Sequence, residues 1–337
     1  MEHRTGMVND LHVAALDNPS GFPLLIEWSA PSERGSELEG VNALLDLWTS
    51  ERTWIDTELR RYGAILFRGF DVSGQAQFQH LMTRSSPSLV NYVDGNSPRT
   101  KVDEGLYTST EYPPEFFISL HNELSYSSQW PARVFFCCVT PPGAGGETAL
   151  VDSRVLLHSL PDNLVEEFRS KQVRYIRNLH GGKGFGPSWQ KTFETTDRGA
   201  VEAYAKKAGM QLDWLPDGSV RLTNVRPATT LHPVTREEVW FNQADQFHPS
   251  THPASIYESM AAIYKGREDL LPQNATFGDG SPIPLEYLTT IRAVTSNHLV
   301  AFTWKQGDLL MVDNTLVAHG RMPFKGPRKI LVSMTSE

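Results

Sequence analysis

The stretch SLHNELSY, residues 119–126, sets a histidine and a glutamate two positions apart, His121 and Glu123, among the apolar residues Leu120, Leu124 and Tyr126. Read as a strand, residues i and i+2 share a face, so an imidazole and a carboxylate project side by side. Such a pair is half of a metal site. Fe(II), Mn(II) and Co(II) suit two imidazoles and one carboxylate with further positions left open. A zinc hydrolase uses the same ligand types with a single open position. The plain alternative is a solvated strand face, and a third ligand decides between them.

Most other histidines have a local explanation. His3 and His12 lie near the N-terminus, and His80 and His158 fall in helical patterns. His232, His248 and His252 stand beside prolines in turn-like segments. His298 ends a helical stretch, where a cation is favoured. His180 sits in the glycine-rich run LHGGKGFGPSW (residues 179–189), a composition compatible with a lid. His319 differs, because it lies in DLLMVDNTLVAHGRMPFKGPRKILVSM, a polar stretch between strand-like apolar runs. Alone among Val317, Ala318 and Gly320 it reads as a core histidine; beside a second ligand pair it reads as a ligand.

The elements that must position these residues follow from periodicity and punctuation. Residues 41–62 carry apolar residues at helical spacing, with Gly63 as a stop. AILFRGF (64–70) reads as a buried strand and GQAQFQHLMTRSS as a second helix, so helices span about 41–85. From Phe116 strands dominate: FFISLHNELSY, ARVFFCCV and TALVD. A mixed insert over about 152–300 follows, with Asp152 or Ser153 and then Asp197 as helix caps. It holds a QLDWL/SVRLTNV hairpin, a strand at EEVWFNQ, and helices over 251–266 and 285–297. Four short strands close the chain. Strands that resume after an insert predict a single, mainly β domain spanning residues 1–337 with peripheral α; sandwich, jelly roll and barrel all fit.

Composition narrows the partners. The 337 residues are 39% hydrophobic, with 8 Trp and 16 Phe, enough to bury a core. A formal charge of −8 without a Lys/Arg run argues against nucleic acid. No segment approaches the ~18 consecutive apolar residues of a membrane span. The N-terminus lacks a basic region followed by an apolar one, and a cytoplasmic location is expected. Cys137 and Cys138 are adjacent, so in a strand they point to opposite faces and form no ordinary disulfide.

Taken together, HNE, then WPARVFFCCVTPPGAGGETALVD, then GDLLMVDNTLVAHGRMPFKGPRKILV resemble the TauD/TfdA-type Fe(II)/2-oxoglutarate dioxygenases, the SyrP-like branch above all. The resemblance covers roughly residues 60–335, with the motifs ordered and spaced as in that family. It implies a double-stranded β-helix, a clavaminate-synthase-like jelly roll, with Fe(II), 2-oxoglutarate and O2 as cofactor and co-substrates. Carried over residue by residue, the metal ligands are His121, Glu123 and His319. Thr148 and Arg328 fall where the family binds the distal carboxylate of 2-oxoglutarate; an arginine fork offers it two parallel charge-assisted hydrogen bonds. Family halogenases carry Ala or Gly in place of the acidic ligand, so Glu123 implies hydroxylation or a related oxygen insertion. Most members use Asp there.

A further departure concerns substrate. Members that oxidise small free acids often carry a second arginine four residues after the first, where this chain has Val332. The expected substrate is a small amino acid or a derivative of one, free or tethered to a carrier protein. Asn122, Tyr126, Asn242, Gln243 and Arg321 are the candidate substrate contacts. Epoxidation, desaturation and cyclisation would use the same residues. Two other classes compete with this one, a zinc-dependent hydrolase and a non-catalytic binding module. The first would carry HExxH or a PCxxC pair, which are missing from the sequence. The second would tolerate alanine at Glu123.

Overall fold

The C-terminal strands do not form a sheet of their own; they thread between early ones. The computed structural model describes residues 11–337 apart from 19, 30–35, 37, 87, 96–98 and 185. In an eight-stranded sheet, Leu309–Asp313 lies between Ala64–Arg68 and Arg133–Thr140, and Lys329–Thr335 pairs with the other edge of Arg133–Thr140. In a four-stranded sheet, Val317–Arg321 lies between Thr148–Asp152 and Ile118–His121, with Val300–Phe302 beyond Thr148–Asp152. These pairings are antiparallel. Interleaving early and late strands in two sheets makes the expected jelly roll, and it brings residue 319 beside residue 121.

One apolar cluster joins both sheets. The larger contributes Phe136, Cys138, Leu310, Val312, Ile330 and Val332; the smaller contributes Leu150, Val151, Val317 and Ala318. A second cluster covers the opposite face of the larger sheet, where Phe67, Phe135, Cys137, Met311 and Leu331 meet the N-terminal helices. The adjacent cysteines therefore fall in different clusters, as period-2 alternation requires, and both are free thiols.

The 41–62 segment departs from the single helix its spacing suggests. Two helices form, Glu39–Ser50 and Arg52–Tyr62, broken at Glu51 (φ −115°, ψ 23°). The first buries Val41, Leu44, Leu47 and Trp48, and the second buries Ile55 and Leu59. The break lets two short apolar stripes reach one cluster, which an unbroken rod would carry past it. Gly63 ends the second helix in the left-handed region (φ 75°), its N–H donating to the Leu59 carbonyl. A Cβ there would meet Val317 Cγ2 at 2.4 Å, on the strand that carries His319.

The insert supplies another antiparallel sheet in the order Gln211–Trp214, Val220–Arg226, Val173–Leu179, Gln273–Phe277, so the expected hairpin is present. Helices Ala254–Ile263 and Leu285–His298 lie within the expected spans, save the last residue of the second. Asp152 caps the helix Ser153–Ser159, accepting from the Arg154 N–H at 2.8 Å, and Asp197 caps Arg198–Lys207. The EEVWFNQ strand is shorter than its sequence suggests, ending at Trp240.

Candidate active site

His319 and His121 stand opposite one another in strand register, with ring centroids 4.7 Å apart. The close approach depends on Gly320. A Cβ there would fall 2.3 Å from the Ile118 carbonyl oxygen, so any side chain would push apart the two strands that carry the imidazoles. Gly320→Ala is expected to cost about 1–3 kcal/mol of stability and to weaken metal binding; urea unfolding and a Co(II) titration would check both.

Glu123 reaches the site by a different route from the one its spacing suggested. The strand ends at His121, and Glu123 belongs to the turn that follows, where Leu124 adopts φ 57°. The buried Asn314 side chain holds that turn in place of strand pairing. Its Oδ1 accepts from the Glu123 N–H at 2.7 Å, while its Nδ2 donates to the Glu123 carbonyl at 3.0 Å and the Pro131 carbonyl at 2.9 Å. Two residues aligned by a turn thus converge as a strand pair would. Ligand atoms of His121, Glu123 and His319 all lie within 4.8 Å of one another, and all three residues are buried.

The chemistry of this donor set fits a divalent metal. His121 Nδ1 lies 2.9 Å from the Ser119 carbonyl, which only accepts, so the proton sits on Nδ1 and the Nε2 lone pair is free. The Gln246 amide lies 3.2 Å from the same nitrogen. His121 Nε2 and both ring nitrogens of His319 are buried with no hydrogen-bond partner among the described residues. Buried polar atoms are rarely left so, and one such nitrogen on each facing imidazole, beside the Glu123 carboxylate, is what a bound metal would satisfy. Burial, followed by repulsion from His319, pulls the His121 imidazole down to about 4, which keeps it neutral. Burial alone would raise Glu123. The Arg99 guanidinium and then the two imidazoles overcome it, holding the carboxyl below the usual range. Two imidazoles and one carboxylate are the ligand types that Fe(II) favours.

Arg99 escaped the sequence reading. Its guanidinium donates to Glu123 Oε2 at 2.5 Å and lies 4.3 Å from the centre of the Tyr92 ring. Nothing local marks it, because its partner is 24 positions away. Asn314 was equally unannounced, although it stands inside the C-terminal motif.

Beside the imidazoles lies a cavity of about 30 Å³ whose lining includes Arg99, Ser109, Thr148, Phe136, Arg321 and Arg328. Arg328 immediately precedes the strand Lys329–Thr335 and donates to the Gly146 carbonyl (3.0 Å) and to Ser109 Oγ (3.2 Å). Burial, then the neighbouring Arg321 charge, lowers its guanidinium to about 10. A cationic pocket that disfavours its own charge is one that favours an anion. Thr148 and Arg328 therefore share one cavity with His121 and His319, while Lys329 is exposed.

The five candidate substrate contacts divide. Arg321 lines this cavity, but its two terminal nitrogens donate to the carbonyls of Thr110, Tyr112, Pro113 and Phe116, which fastens the loop before the His121 strand. Asn122, Asn242 and Gln243 instead line a separate cavity of about 130 Å³ with Leu120, Val151 and Ala318. Those apolar residues alternate with the ligand-bearing positions, so this cavity lies on the other face of the smaller sheet. The three amides also bind backbone: Asn122 to the Asn314 carbonyl, Gln243 to the Asn122 carbonyl, and Asn242 to the Ala228 carbonyl. Tyr126 is buried, its hydroxyl donating to the Asp94 carbonyl at 2.7 Å. The glycine-rich segment 179–189 contributes no lining residue to either cavity among the described residues.

Comparison with known proteins agrees with this geometry. The pattern defining the family described as "Taurine catabolism dioxygenase TauD, TfdA family" matches residues 31–335. The dapdiamide synthesis protein DdaC of Enterobacter agglomerans is 37% identical over 280 residues, 83% of this chain and 84% of that protein. A clavaminate synthase-like protein of Arabidopsis thaliana is 32% identical over 296 residues, 85% of each chain. Among solved structures, PvcB from Pseudomonas aeruginosa superposes with a TM-score of 0.54 at 16% identity, covering 99% of this chain and 94% of that one. A second PvcB structure, with a TM-score of 0.53 at the same identity and coverage, is described as an Fe, alpha-ketoglutarate dependent oxygenase from an isonitrile synthetic pathway. The family match over nearly the whole chain places it: this protein belongs to the TauD/TfdA family and is an Fe(II)/2-oxoglutarate-dependent oxygenase.

Proposed function

We propose that this oxygenase hydroxylates an unactivated C–H bond of an amino acid or amino-acid derivative, free or tethered to a carrier protein, in the making of a natural product. The carrying observation is the intact buried triad: His121, Glu123 and His319 converge, with His121 Nε2 and the ring nitrogens of His319 unpartnered among the described residues. In this reading they hold Fe(II), while Thr148 and Arg328 receive the distal carboxylate of 2-oxoglutarate. The bound iron supplies O2 activation coupled to oxidative decarboxylation of 2-oxoglutarate to succinate and CO2. Glu123 fills the coordination position that a halogenating relative leaves empty, which favours oxygen insertion. Arg99 and Asn314 keep that carboxylate ionised and aimed. Val332 is fully buried in the core, so an acid group on the substrate gets no help there. Support for the substrate class comes from DdaC and PvcB, whose names place them in dapdiamide synthesis and an isonitrile pathway.

The test supplies Fe(II), 2-oxoglutarate and O2 with free amino acids, their amides and pantetheine thioesters. The reading expects substrate-dependent succinate release and a product heavier by one oxygen. A product lacking two hydrogens, or carrying halide, would overturn hydroxylation. In the same assay Arg328→Ala is expected to raise the apparent Kd for 2-oxoglutarate roughly 10- to 100-fold, the loss of one or two charge-assisted hydrogen bonds.

A further inference from the structure

Three guanidinium groups line the cavity beside the imidazoles, and they differ in how many donors are already engaged. Both terminal nitrogens of Arg321 are taken up by loop carbonyls, which leaves only its Nε without a partner among the described residues. Arg328 has its Nε on the Gly146 carbonyl and one terminal nitrogen on Ser109. Arg99 uses a single nitrogen, on Glu123; its Nε and other terminal nitrogen are buried with no partner among the described residues. Its side chain is 2% exposed, so bulk solvent does not reach these donors. Unpaired buried N–H groups of a cation are costly. A guanidinium beside a dication is also repelled unless anions lie against both. Glu123 is one such anion, and the remaining donors call for a second.

The co-substrate reading supplies it. A 2-oxo diacid has two carboxylates, and Arg328 with Thr148 accounts for the distal one. The carboxylate next to the 2-oxo group has no side-chain partner so far, and it belongs at the metal end, where Arg99 touches Glu123, itself 3.7 Å from His319 Nε2. We propose that Arg99 is a specificity-determining residue that receives the metal-end carboxylate of the 2-oxo acid, so that one arginine reads each end of the co-substrate. The inference rests on the oxygenase reading above. A purely structural Arg99 would hold Glu123 and leave co-substrate affinity alone.

Two ligands separate the ends: 2-oxoglutarate carries both carboxylates, 2-oxovalerate only the one beside the oxo group. Each is titrated anaerobically into the full-length protein at saturating Fe(II), following the weak visible charge-transfer band. Arg99→Gln is expected to raise the Kd of both ligands roughly 10- to 100-fold, whereas Arg328→Gln raises that of 2-oxoglutarate alone. Arg99→Lys keeps the charge without the planar fork, and is expected to restore only part of the affinity for both. It carries the comparison if Arg99→Gln fails to fold or to hold iron. Affinities within twofold of wild type for both ligands would overturn the proposal, leaving Arg99 to Glu123 or to a substrate carboxylate. Loss for 2-oxoglutarate alone would overturn it too. No band in the wild type with either ligand would instead overturn the co-substrate reading itself.

Discussion

Glu123→Ala is expected to weaken Fe(II) binding strongly and to destabilise the protein at the same time. The metal loses its only carboxylate, so affinity should fall by more than the roughly 10- to 100-fold typical of losing an outer partner. The stability cost has a separate origin. Arg99 is fully charged, buried and paired with Glu123; removing the partner leaves an uncompensated buried cation, at about 3–5 kcal/mol. The two effects come apart in a double variant. Glu123→Ala with Arg99→Leu should recover part of the unfolding free energy and none of the iron binding. Chemical denaturation of the metal-free proteins, beside an Fe(II) titration, reads both. Full stability in Glu123→Ala alone would contradict the buried ion pair.

The second large effect lies at Asp94. This carboxylate is wholly buried; it accepts from Arg177 at 2.5 Å and lies 3.4 Å from the Tyr204 hydroxyl, while its own carbonyl accepts from Tyr126 and Arg177. Arg177 comes from the insert sheet and Tyr126 from the turn after Glu123, so one residue ties three segments together. It also stands five positions before Arg99 along the chain. Asp94→Ala is expected to cost about 3–5 kcal/mol, because the Arg177 charge stays behind without its partner. Asp94→Asn retains an acceptor and should cost less. Urea unfolding monitored by tryptophan fluorescence would show it, and a loss below about 1 kcal/mol for Asp94→Ala would mean the pair is solvated.

What could be read from the sequence follows from how local each signal is. The core strands announced themselves as short apolar runs bounded by turn residues, and the opposite faces of Cys137 and Cys138 followed from pleat geometry alone. His121, Glu123 and His319 were legible as residue types in ordered motifs, yet their presentation was not. The reading put Glu123 on a strand, whereas a turn closed by Asn314 holds it. Only the fold brings Asn314 to residue 123. The same limit explains the polar residues that looked like substrate contacts. Asn242 and Gln243 line the larger cavity, and there their amides donate to the backbone carbonyls of Ala228 and Asn122. Arg99 and the Asp94–Arg177 pair had no periodicity, no motif and no neighbouring partner to mark them.

Three side chains, His121, Glu123 and His319, are expected to hold one iron ion. Crystals grown anaerobically with Fe(II) and 2-oxoglutarate, measured at the iron absorption edge, address that directly. The predicted result is a single strong anomalous peak within bonding distance of His121 Nε2, a Glu123 carboxylate oxygen and a His319 ring nitrogen, with the co-substrate running from it towards Arg328. An empty triad at full iron loading, or a peak held by other residues, would contradict it.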